Sequence, residues 1–228
     1  MHIERLDFEN SPYLGVYGLA VDKVALVREG LKRASLEVLR EVLKVPVIET
    51  SIMKSRIVGI FSAGNSNAIL VPWYVWDSEL EHINHQFEEF GIDMVVEPFR
   101  STLTALGNLI LANDKAALVS AKFTREDAKR LEDALGVEVE RGMIGDYHAV
   151  GSAGIVTNRG GLIHPEPTDE ELEWLRGLFK VDVYVGTANM GVPFVGSCML
   201  ANSHGVVVGH ATTGPEIVKI EEALGFLD

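Results

Sequence analysis

The one thiol in the chain, Cys198, is followed by His204 and His210. A cysteine beside a histidine is the minimal apparatus of nucleophilic catalysis, provided the thiol is exposed and its pKa lowered. A second candidate is the pair His82 and His85, three apart among Glu81, Glu88 and Glu89, which one helix face could offer to a metal ion. The glycines of Gly151-Ser-Ala-Gly154 and Gly160-Gly161 lack a following Lys-Ser or Lys-Thr and do not open a helix, so they do not make a phosphate loop. Trp73, Tyr74 and Trp76 bring three aromatic rings together, either to cover a helix end or to form a recognition patch.

The elements that must carry these residues emerge from an internal repeat, which is sought first because a missed repeat misassigns the whole fold. Gly15, Gly59, Gly107, Gly151 and Gly196 each open an apolar run, at spacings of 44, 48, 44 and 45 residues. Each run reaches a turn rich in Asn, Asp and Ser, then resumes through Val27, Val71, Val119, Ile163 or Val208, 12 residues after its glycine. That pattern predicts five β-hairpins with polar turns.

A helix follows each hairpin. Ser35, Asp77 or Ser78, Thr124, Thr168 and Thr213 are the expected N-caps, the last three with an acidic residue three positions on. Apolar residues fall on one helical face, as in Leu36, Leu39 and Leu43, or Leu80, Ile83, Phe87 and Phe90. Gly91, Gly136 and Gly225 are the expected left-handed stops. Third strands are predicted over 45–51, 92–99, 137–143 and 181–187. The fifth repeat lacks one, and the alternating segment His2 to Phe8 is expected to supply it and close a ring, removing the sheet edges of an open array.

The repeat also supplies controls. The equivalents of Cys198 are Tyr17, Phe61, Leu109 and Ala153, so the thiol is expected inside a strand as a small buried hydrophobe. His204 shares its turn position with Lys23, Asn67, Lys115 and Arg159, and reads as a polar turn residue. His82 and His85 lack an identifiable third ligand and read as a solvated face. No catalytic residue, metal site or cofactor is therefore expected. After the repeat glycine come Val16 and Ile60 in two copies but Asn108, Ser152 and Ser197 in three, which predicts a polar rim on part of the ring.

Composition narrows the function further. At 228 residues, 47% hydrophobic and 23% charged, the chain can bury a core. No apolar run is long enough to cross a bilayer and Met1 to Arg5 is not a signal sequence, so no membrane association and a cytoplasmic location are expected. A net charge of −13 opposes extensive nucleic-acid binding and is compatible with a local contact to a basic protein.

The segments Gly64-Asn-Ser-Asn-Ala-Ile-Leu-Val-Pro72, Ala105-Leu-Gly-Asn108 with Asn113-Asp-Lys-Ala-Ala-Leu-Val119, and Thr157-Asn-Arg-Gly-Gly-Leu-Ile-His-Pro165 closely resemble the archaeal and eukaryotic translation initiation factor six family. So does the closing Ala211-Thr-Thr-Gly-Pro-Glu216, although Ala211 stands where an acidic residue is common. The chain ends at Asp228 without the extra tail of eukaryotic members, so the archaeal form is the closer match. The resemblance implies an α/β pentein, or α/β propeller: one domain over 1–228 of five pseudosymmetric ββαβ repeats closed into a ring. It also implies a monomeric non-enzyme that binds the large ribosomal subunit on its subunit-joining face, near the sarcin-ricin loop. Such a factor sterically blocks the small subunit and has a role in large-subunit maturation. The main contact would be a large-subunit ribosomal protein, with little direct RNA contact. Arg56, Asn65, Asn108 and Asp114 match polar positions of the family motifs and are the expected binding residues. Other penteins, among them guanidine-modifying hydrolases and amidinotransferases, use a cysteine in the central channel; Cys198 would be that nucleophile in an alternative reading.

Overall fold

A computed structural model describes residues 2–227. Each repeat folds as a three-stranded sheet in which an antiparallel hairpin is joined by a parallel third strand. In the first, Gly18–Ala20 pairs with Ala25–Arg28, which pairs with Val47–Thr50. The order recurs in Ala63–Gly64, Ala68–Pro72 and Val95–Phe99, in Ile110–Ala112, Ala116–Ser120 and Glu138–Gly142, and in Gly154–Val156, Gly160–Ile163 and Asp182–Val185. In the fifth, Met199–Ala201 pairs with Val206–Gly209, and Ile3–Leu6 fills the third place in parallel register, from Ile3 opposite Val206 to Leu6 opposite Gly209. The N-terminal segment thus completes the last repeat. All five middle strands are buried along their whole length, as strands covered on both faces must be.

The helices Arg33–Leu43, Asp77–Phe90, Arg125–Leu135, Asp169–Phe179 and Gly214–Ala223 follow the hairpins. Each packs into the groove between its own sheet and the preceding one. Leu36, Leu39 and Leu43 meet Val27 of their own repeat and Leu200 and Val207 of the fifth; Ile83 and Phe87 meet Leu26 and Ile48 of the first. The core is therefore divided into five clusters that straddle repeat boundaries.

Thr124 and Thr168 cap their helices as expected, each side chain accepting the backbone N–H three residues on. Thr213 also stands at an N-cap, its N–H donating to Glu216. The first two starts differ from expectation. Ser35 lies inside its helix, which starts after Lys32, and the second helix starts after Trp76, whose side chain makes no cap bond. Gly91 and Gly136 close their helices at φ 64° and 65°, and Gly225 takes φ 71° beyond the last. Lys44 and Lys180 adopt the same left-handed conformation at φ 54° and 55°, where no glycine marked the stop in the sequence.

The five repeat glycines do not open strands. They lie in single helical turns, Leu14–Tyr17, Val58–Phe61, Leu106–Leu109, Val150–Ala153 and the 3-10 turn Val195–Ser197, ahead of shorter strands. A Cβ at Gly15 would overlap the carbonyl oxygen of Gly196, and one at Gly59 that of Gly15; Gly107 faces Gly59, Gly151 faces Gly107, and Gly196 faces Gly151. This cycle of five contacts closes the ring on its axis and leaves no room for a side chain.

Candidate functional site

A channel on the ring axis is lined by the five glycines together with Asn108, Ser152 and Ser197. The inner strands run from this end to the hairpin turns, where Asp22, Asn65, Asn113, Asp114, Asn158 and Asn202 line a second, smaller recess. The two ends differ in chemistry.

At the turn end the polar side chains bind one another. Asp22 accepts from the Ser203 N–H at 2.7 Å and hydroxyl at 2.7 Å, and Asp114 accepts in the same way from Ser66 at 2.7 and 2.8 Å. The Asn158 amide donates to both carboxylates, at 2.8 Å to Asp22 and 2.6 Å to Asp114. Four repeat junctions, one of them across the axis, are thereby tied into a single network. Beneath it, Asn65 donates to the carbonyls of Asn113 and Leu135, Asn113 to those of Thr157 and Phe179, and Asn202 to those of Val21 and Leu43. In each case the asparagine of one repeat caps the helix of the next, satisfying a carbonyl that would otherwise be orphaned. Lys115 and Arg159 reach the Lys180 and Gly225 carbonyls in the same sense.

The expected binding residues therefore separate. Asn65 is 2% exposed and its amide is engaged inside the ring; its oxygen accepts from the N–H groups of Asn67 and Ala68. Asp114 is half-buried in the turn network. Asn108 belongs to the opposite end, half-buried, accepting from the Ser152 hydroxyl at 2.9 Å. Arg56 is exposed on the loop before the second glycine. Nearby, the bidentate Arg28 guanidinium, 2.8 and 2.9 Å from Glu9, lowers the pKa of that carboxylate, and the charge of Arg56 adds to the effect.

Cys198 does not fit the part of a channel nucleophile. It follows the last helical turn rather than lying within a strand, is 0% exposed, and packs with Val195, Met199, Val206 and Ile220. Burial pushes its thiol up to about 12, against a weaker lowering by Asn189. The thiol donates to the Phe194 carbonyl at 3.5 Å, while His204 and His210 are both exposed. It is protonated at neutral pH, the nearby charge of Glu216 raising its pKa further, and neither histidine is hydrogen-bonded to it. His82 is bound to the Glu49 carbonyl at 2.9 Å, and among the described residues no three His, Cys, Asp or Glu side chains come together to hold a metal ion.

The loop-holding role of two carboxylates was not legible in the sequence. Glu79 accepts from the Ser51 hydroxyl and from the N–H groups of Met53, Lys54 and Trp76. Glu216 accepts from Thr187, Met190, Gly191 and Thr213. Each latches a loop with two successive left-handed residues, Met53 and Lys54 or Asn189 and Met190, to the start of the next helix. The only sequence signal was the acidic residue three positions into the helix, which ordinary capping already explains. Burial would raise the pKa of Glu216, but the donors from Thr213, Gly191 and Thr187 outweigh it and hold the group at about 2.

A closed ring of five such repeats defines a pentein fold. Residues 3–223 match the eIF-6 family, and the chain belongs to that family of translation initiation factors. It is 83% identical over 228 residues to "Translation initiation factor 6" of Thermococcus onnurineus (strain NA1), covering 100% of both chains. It is 75% identical over 227 residues to the protein of the same description from Pyrococcus abyssi (strain GE5 / Orsay), again covering 100% of both. A solved dimethylarginine dimethylaminohydrolase adduct with S-methyl-L-thiocitrulline has 12% identity and a TM-score of 0.48, covering 76% of this chain and 68% of the other. That likeness is too remote to carry any inference about function. Among the described residues no helix is long and apolar enough to cross a membrane.

Proposed function

We propose that the protein binds the large ribosomal subunit at its subunit-joining face, sterically prevents association with the small subunit, and takes part in large-subunit maturation. Its main contact would be a large-subunit ribosomal protein near the sarcin-ricin loop, and it would act as a cytoplasmic monomer, one cooperative domain, without catalysing a reaction. Membership of the eIF-6 family supports the ribosomal setting. The observation that carries the steric mechanism is the locked ring: side chains of one repeat hold the helix ends of the next, so the body resists deformation without bound ligand. A rigid obstacle needs only surface complementarity and a few anchors. Arg56 and Asn108, at the glycine end, are the proposed direct anchors; Asn65 and Asp114 would act by shaping the turn end.

Sedimentation with purified large subunits, followed by addition of small subunits, tests the proposal. Co-sedimentation and a fall in joined ribosomes are expected. Joining that proceeds at saturating factor would sink the steric mechanism, and absence of co-sedimentation would sink the partner as well.

A further inference from the structure

The hairpin of the second repeat ends in the exposed rings of Trp73, Tyr74 and Trp76, at 50%, 39% and 49% of full exposure. The fold does not require them. The equivalent positions hold Glu29, Gly30 and Lys32 in the first repeat, Ala121, Lys122 and Thr124 in the third, Pro165, Glu166 and Thr168 in the fourth, and His210, Ala211 and Thr213 in the fifth. Three of those repeats place threonine at the helix N-cap, and Thr124 and Thr168 accept the N–H three residues on, where the second repeat has Trp76, which makes no side-chain cap bond and leaves its ring half in water. A position that breaks the local rule with no compensating burial marks a site kept for something other than the fold.

The surrounding charge says what the site fits. Lys54 Nζ lies 3.9 Å from the Trp76 ring centroid and the Arg100 guanidinium 5.5 Å from that of Trp73. Trp73 and Tyr74 stand edge to face at 5.4 Å. Arg56 follows Lys54 on the same loop, and among the described residues none of Lys54, Arg56 and Arg100 has a carboxylate within ion-pair distance. Two cations, Lys54 and Arg100, set against aromatic faces without a carboxylate partner are notable in a chain of net charge −13. The Glu79 carboxylate holds both the Lys54 and Trp76 backbones, at 2.8 and 3.2 Å, so cation and ring are positioned together before any ligand arrives. An apolar protein segment would use the rings but leave the cations unmatched. Unpaired nucleotides use both, stacking bases on the aromatic faces while phosphates meet the cations.

We propose that Trp73, Tyr74 and Trp76, with Lys54 and Arg100, form a binding site for a few unpaired nucleotides of single-stranded RNA. This contact is local, a few nucleotides beside the larger protein contact proposed above, and it does not depend on that proposal. The test uses a fluorescently labelled eight-nucleotide oligoadenylate and the full-length protein, read by anisotropy at low salt. Saturable binding that weakens as salt rises is expected. Trp73→Ala should weaken it roughly 5- to 100-fold, and Arg100→Gln should weaken it and flatten the salt dependence. Trp76→Thr should raise the unfolding midpoint by restoring a cap while lowering RNA affinity, which separates binding from folding. Absence of binding by the wild-type protein, or binding unchanged in both tryptophan variants, would overturn the proposal. None of these results bears on whether the protein sediments with the large subunit.

Discussion

The side-chain amide of Asn158 donates to the carboxylate of Asp22 at 2.8 Å, joining two repeats that are not neighbours around the ring. The same amide reaches Asp114 at 2.6 Å. It is the one neutral donor between two carboxylates that are otherwise held by serines, so the turn end depends on it to keep like charges in register.

Asn158→Ala should therefore cost more than an ordinary surface hydrogen bond. A loss of about 2 kcal/mol is expected, because two bonds to ionised acceptors go and the acceptors face each other without a donor. Urea unfolding reads this as a lower midpoint at unchanged slope. A midpoint within error of the wild type would mean that water replaces the amide without cost.

The repeat glycines and the helix-stop glycines are predicted to respond differently to alanine. At Gly107 a Cβ overlaps the Gly59 carbonyl on the ring axis, where neither backbone can yield without opening the ring. Gly107→Ala should cost about 3 kcal/mol or more, or abolish folding. At Gly91 a Cβ meets nothing within 4 Å, and only its φ of 64° resists substitution. Gly91→Ala should cost about 1 kcal/mol. Comparable midpoints for the two variants would remove steric closure as the reason for the axial glycines.

The repeat made the ring legible in the sequence, because five similar units with one missing strand admit few closures, and Ile3–Leu6 does supply that strand. Individual residues were harder to read. The helical turn at each glycine was hidden by an apolar composition that suits strand and helix alike. The stops at Lys44 and Lys180 are left-handed residues that are not glycine, so no residue type marked them. Asn65 and Asn113 looked like plain turn residues because their partners, Leu135 and Phe179, lie 70 and 66 positions away. Arg56 and Asn108 could be named from motif resemblance, and their separation from Asn65 and Asp114 was legible too, because the first pair stands at the start of first strands and the second at turn tips.

Acid should release the loop that Glu216 holds. Its pKa sits at about 2, below the ordinary 4.5, so the folded state favours the ionised form. The stabilisation is complete above about 4.5 and is lost as pH falls through that value towards 2. Glu216→Gln loses the ionised acceptor at every pH. The wild type should be more stable than the variant at pH 7, and the two urea midpoints should converge as pH approaches 2. Midpoints that stay parallel across this range would show that the carboxylate is not held down by its donors.

Removing residues 1–9 takes away the third strand of the fifth sheet and exposes the edge of Val206–Gly209. It also removes Glu9, leaving the buried Arg28 without its carboxylate, and Phe8 from the first cluster. Since every cluster straddles two repeats, the damage should spread around the ring. Circular dichroism and tryptophan fluorescence, whose reporters lie in the second and fourth repeats, should then show one coincident transition at a lower midpoint. A fifth repeat that melts alone while the fluorescence transition stays in place would show that closure by the N-terminal strand is local.

The buried thiol gives the sharpest separation between a binding protein and an enzyme on this ring. With its pKa pushed up to about 12 and no exposed surface, Cys198 should resist alkylation by iodoacetamide at pH 8 in the native protein and react promptly in urea. Cys198→Ala should cost about 1 kcal/mol of stability from lost packing and leave co-sedimentation with large subunits unchanged. Rapid alkylation of the folded protein, or turnover of arginine or methylarginine that disappears in the alanine variant, would restore the catalytic reading. The structure argues against that outcome because Cys198 is fully buried in the cluster that seats the last helix, with its thiol donating to the Phe194 carbonyl.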